Sequence, residues 1–84
     1  MEPNDPVATA LGNLIRATAE DQGMPLGELA KKSGVHRVSL YRYLEGDRDM
    51  QLSVLTAIAG ALRVEPHALL HDAIERAGRD SRSA

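Results

Sequence analysis

Apolar residues return every three or four positions in five separate stretches of the chain, and the β-branched residues are scattered without strand-like alternation. That period belongs to helices with one buried face, not to strands. The first stretch runs from about Pro6 to Gln22, with Val7, Leu11, Leu14, Ile15 and Thr18 on one side, and Gly23 predicts its end. In the second, "MPLGELAKKSG", Pro25 stands at a first-turn position, Leu26, Leu29 and Ala30 face inward, and Gly34 is the stop. A third helix is expected from about His36 to Leu44, with Leu40, Tyr43 and Leu44 on the core side and Val35 packing just before it. The fourth, about Leu52 to Arg63, puts Leu52, Leu55, Ile58, Ala59 and Leu62 on one stripe. In "VEPHALLHDAIERAG", Glu65 is a cap, Pro66 opens the first turn and Gly78 is the expected stop. Residues 1–6 read as a flexible arm and residues 79–84 as a flexible, frayed tail, which leaves residues 7–78 as one all-α domain.

Composition narrows what that domain can be. The 84 residues include no Cys, Phe or Trp, so the core is aliphatic and neither a disulfide nor a thiolate-held metal can staple it. A chain of this length folds alone with a small margin. Its longest nearly apolar run, "LTAIAGAL", falls far short of the roughly 20 residues that a membrane helix needs. The opening "MEPNDP" is acidic and proline-rich, unlike a secretory signal, and a chain without Cys suits a reducing compartment. The expected location is the cytoplasm, with no membrane partner.

Charge adds a direction. The net charge is −2, which read globally speaks against nucleic acid. Its distribution matters more. Residues 1–30 hold one Arg and five acids, whereas residues 31–49 hold five bases (Lys31, Lys32, Arg37, Arg42, Arg48) against Glu45, Asp47 and Asp49. Both tyrosines fall in the same segment. At helical spacing Tyr43 joins the core side of the third helix, while Val38, Tyr41, Arg42 and Glu45 share the opposite side and Arg37 lies in the first turn. Arg can bond guanine through two donors and a valine methyl can meet a thymine methyl, so this mixture suits a DNA major groove. The plainer reading is a solvated face with one stray Val. Two further patterns have plainer explanations. His67, His71 and Glu75 recur at one-turn spacing and could hold zinc, but a solvated face with i,i+4 polar pairs explains them. Ser33 and Ser39 lie near His36 in sequence, but a helix and turn make them caps or phosphate contacts. The sequence has no glycine-rich phosphate loop and no carboxylate pair on a convincing cleft, so neither enzyme activity nor a metal or other cofactor is expected.

The stretch "LGELAKKSGVHRVSLYRYLEG" resembles a helix-turn-helix unit. Ala30 stands where the first helix must let the second approach, Gly34 where the turn needs a left-handed residue, and Val35, Leu40 and Tyr43 at the apolar positions that lock the two helices. With "LGNLIRA" before it and "LTAIAGALRVEPHALL" after it, the chain is similar to the Cro/repressor (XRE-like) helix-turn-helix family over roughly residues 10–72. The resemblance implies a compact five-helix, lambda-repressor-like domain that binds double-stranded DNA as a transcriptional regulator, here expected to be a repressor. The helix at about 36–44 would then enter the major groove. Arg37, Val38, Tyr41 and Arg42 are the expected base contacts, and Lys31, Lys32, Ser39 and Arg48 the expected phosphate contacts. A homodimer is expected through the helix at about 66–77, where Ala73, Ile74 and Ala77 stay apolar, together with the turn at Glu65 to His67. No small-molecule ligand is expected. The alternative is an antitoxin or protein-interaction adaptor that uses the same fold to hold a protein.

Four positions depart from the family's pattern. Leu26 stands where members often place a phosphate-binding Gln, and His36 where a Ser or Thr commonly caps the recognition helix. Ala19 and Leu44 stand where many members pair an Arg with a Glu. Both partners of that pair are replaced together, so the two apolar residues are expected to touch and no charge is left unmatched.

Overall fold

The computed structural model of the protein describes the backbone of residues 5–83 and the side chains of residues 5–79. Most of the expected arm therefore lies outside the described residues. Within them the chain forms α1 (Pro6–Asp21), α2 (Leu26–Ser33), α3 (Arg37–Leu44), α4 (Leu52–Leu62) and α5 (Pro66–Ser83). Local chemistry sets most of these limits. Asp5 caps α1 by accepting from the Val7 N–H at 2.8 Å, with Pro6 in the first turn. The chain then leaves α1 through Gly23, and the Met24 N–H closes back on the Ala19 carbonyl at 2.8 Å. α2 ends at Gly34, which takes a left-handed φ of 76°. His36 is the cap of α3 and not its first residue: its Nδ1 accepts from the Val38 N–H at 3.3 Å.

α4 ends differently. Its C-cap residue, Arg63, adopts φ 59° without being glycine, and the Val64 N–H donates to the Ala59 carbonyl at 3.0 Å. A side chain in the left-handed region costs about 1 kcal/mol. Arg63→Gly should therefore raise stability by about 0.5–1 kcal/mol in urea titration, the usual sign of a glycine change being reversed at this site. The Gln22 side chain also serves this helix end. Its Nε2 donates to the Leu62 carbonyl at 2.6 Å and so ties the end of α1 to the last turn of α4.

The core is built from Ile15, Leu29, Leu40, Leu44, Ile58 and Leu62, with no polar or charged residue buried among the described ones. α5 lies along α1, α2 packs on α4, and α3 sits against α1 and α2. α1 comes close to the backbone of α3 at Gly12. A Cβ on Gly12 would run into the Leu44 carbonyl group, standing 2.7 Å from its carbon and 2.9 Å from the Leu44 Cα.

Two expectations are corrected. Leu52 does not join the buried stripe of α4: it is 74% exposed at the first position of the helix, while Val54 and Leu55 in the same turn pack on the core. Gly78 does not stop α5, which continues to Ser83. A glycine ends a helix by turning left-handed, as Gly23, Gly34 and Gly46 do; Gly78 keeps helical backbone and no proline follows it.

Candidate nucleic-acid interface

α3 has two unlike sides. Leu40, Tyr43 and Leu44 are buried, which fixes the helix against α1 and α2. Val38 is 54% and Tyr41 37% exposed, three residues apart and therefore side by side on the outer surface. Arg42 and Glu45 are exposed with them. The sidedness expected from helical spacing thus holds for both tyrosines. Arg37 behaves otherwise. Its guanidinium lies on the first turn of α2, where a Cβ on Gly27 would stand 2.9 Å from its Nη2.

The loop between α3 and α4 folds back onto α3. Arg48 places its guanidinium carbon 5.6 Å from the centre of the Tyr43 ring and donates from Nη1 to the Ser39 hydroxyl oxygen at 3.4 Å. Two of the expected phosphate contacts, Ser39 and Arg48, are thereby adjacent although nine residues apart. The other two are on α2. Lys31 is exposed, and Lys32 pairs with Glu28 one turn away at 3.2 Å. Tyr43 has a role that spacing did not reveal: its ring packs into the core side of α3 and also supports Arg48.

Ala19 and Leu44 are both buried in the single aliphatic cluster, 1% and 2% exposed. A charge pair does join the same two helices, but at the surface: Arg16 and Glu45 approach to 4.0 Å. Both are well solvated, so this pair contributes at most about 1 kcal/mol. Each partner lies close along the chain to Ala19 or Leu44, a shift visible only once α1 and α3 are seen together.

On α5 the apolar residues are largely used up. Ala73 and Ala77, expected in a dimer contact, are buried and cannot meet a second chain; Ile74, 53% exposed, can. His67 lies 3.8 Å from Glu65, and His71 lies 3.4 Å from Glu75. Among the described residues no three His, Asp or Glu side chains gather to hold a metal ion. Among the same residues no helix is long and apolar enough to cross a membrane.

The family model described as Helix-turn-helix matches residues 15–69, from the last two turns of α1 to the first turn of α5. The structure is similar to that of the restriction-modification controller protein C.AhdI from Aeromonas hydrophila, with a TM-score of 0.71 and 27% identity over 74% of this chain and 94% of that one. It is also similar to the clp gene regulator ClgR from Corynebacterium glutamicum. One ClgR structure gives a TM-score of 0.85 at 25% identity, covering 96% of this chain and 86% of the other. A second gives 0.75 at 28% identity, covering 82% and 90%. No curated protein matches the sequence significantly.

Proposed function

The chain belongs to the helix-turn-helix family, and from that membership we propose that it is a transcriptional regulator that binds double-stranded DNA by laying α3 in the major groove. The observation that carries this reading is the outer face of α3. Val38 and Tyr41 stand exposed beside Arg42, on a helix whose opposite side is locked into the core. A rigid helix presenting a methyl pair, a phenol and a guanidinium matches the donor, acceptor and methyl pattern of base edges. Its likeness in fold to a controller protein and a gene regulator supports the same reading. A non-enzymatic, cytoplasmic repressor is the form proposed.

Ser39 and Arg48 would hold a phosphate beside the recognition helix, and Lys31 and Lys32 another along α2. We further propose a homodimer, formed on DNA through Ile74 and the turn before α5. With Ala73 and Ala77 buried, this contact is small, which is why DNA is needed to bring the copies together. Selection of bound duplexes from a random pool tests all of this at once. The expected product is a two-fold symmetric site with half-sites about 34 Å apart. Recovery of an asymmetric site would remove the dimer, and a pool that never enriches would remove sequence-specific binding altogether.

The two kinds of arginine should separate in the same assay. Arg42→Ala should lose about 1–3 kcal/mol on the selected site and relax its preference at one or two base pairs. Arg48→Ala should weaken every duplex alike and lower the salt slope by about one. Equal losses from Arg42→Ala on selected and random DNA would show that the outer face does not read bases. A binding activity insensitive to salt would instead favour a protein partner on this face.

A further inference from the structure

Arg37 is the member of the expected reading set that rests on another helix. At Gly27 a Cβ would stand 2.9 Å from Nη2, 3.5 Å from Cζ and 3.8 Å from Nε of Arg37. Nη2 stands inside the space that a methyl would need, while Cζ and Nε lie at ordinary contact distance from it. Gly27 is also the second residue of α2, where glycine weakens a helix. Backbone packing does not call for it. The three atoms nearest its missing side chain all belong to Arg37, whereas those nearest Gly12 are all backbone. The glycine is thus a helix cost whose visible return is the place of one guanidinium.

We propose that Gly27 is a positioning residue for DNA binding: by carrying no side chain it seats the Arg37 guanidinium at the junction of α2 and α3, where it meets a DNA phosphate and not a base edge. The inference rests on the DNA-binding reading above. On the first turn of α2 the flanking side chains are Leu26, which is apolar, and Glu28, which is paired with Lys32. Arg37 brings a full positive charge to a turn whose own side chains carry none. A planar fork of donors held in advance suits a phosphate, which offers two oxygens at matching spacing and carries no sequence information. Base reading is then left to Val38, Tyr41 and Arg42.

The test uses the full chain as wild type, Gly27→Ala, Arg37→Ala and the double variant. Each is measured against a duplex recovered from a random pool, its single-base variants and a duplex of random sequence. A methyl at position 27 displaces only the end of a flexible side chain, so the thermal midpoint of Gly27→Ala should be unchanged or higher. Its affinity should nevertheless fall, on the order of tenfold, for recovered and random DNA alike, with single-base preferences retained. Arg37→Ala should do the same, and the double variant should be no worse than Arg37→Ala. Wild-type affinity in Gly27→Ala, or losses that multiply in the double variant, would overturn the seat. Relaxed preference at one base pair in Arg37→Ala, with random DNA bound as before, would overturn the phosphate role. A wild-type protein with no affinity for any duplex would overturn the DNA-binding reading and the seat with it.

Discussion

Gly12→Ala should cost the domain about 3 kcal/mol, although alanine is the better helix former at almost any interior position. The new methyl would enter the space of the Leu44 carbonyl, with the Leu44 Cα only 2.9 Å away. Backbone cannot swing aside as a side chain can, so α1 and α3 must separate and the contacts around Leu44 and Ile15 must open with them. Against the roughly 5–15 kcal/mol that is typical of a native protein, that is a large share. Two other glycines serve as controls. Gly60 and Gly78 are also helical, and a methyl on either would have nothing within 4 Å, so Gly60→Ala and Gly78→Ala should each stabilise by about 0.5–1 kcal/mol. Urea titrations of the three variants check this. If Gly12→Ala matched the other two in sign, the close approach of α1 and α3 would be disproved.

Leu44→Glu should be costlier still, by about 3–5 kcal/mol, because a carboxylate would enter an aliphatic cluster that holds no polar side chain. Ala19→Arg added to it should recover part of the loss, since a guanidinium from α1 would then face the carboxylate from α3. The natural surface pair, Arg16 with Glu45 at 4.0 Å, is no substitute for that match because both groups are solvated; Glu45→Gln should change stability by less than about 1 kcal/mol. Thermal and urea unfolding of the two single variants and the double variant form the cycle. A double variant no more stable than the worse single one would mean that residues 19 and 44 do not meet.

Much of the scaffold was legible because its causes are local. Gly23 and Gly34 end helices by turning left-handed a few residues from the carbonyls they release. Asp5 and Pro6 start α1 through bonds that reach two positions along the chain. The division of α3 into a buried Tyr43 and an exposed Tyr41 follows from the helical period alone. A local signal with two outcomes decides nothing by itself, as at Gly78, where a glycine can end a helix or, as here, stay helical.

Five amphipathic helices, an aliphatic core, a helix-turn-helix at α2 and α3, and the face of α3 turned away from the core can all be read along the chain. These rest on period, composition and capping, which act within a turn or two. Tertiary structure alone decided what each side chain meets across helices. Gly12, Gly27 and Gly78 look alike in the sequence, yet one faces backbone, one a guanidinium and one open space. Arg37 and Arg48 look like two basic residues of one segment, yet one rests on α2 and the other on the Tyr43 ring. Leu52 continues the stripe of α4 in sequence and stands in solvent in space. The reason is geometric. The identity of a neighbour on another helix depends on the distance and crossing of both axes, which are set by all the packed residues together and by no short stretch of the chain.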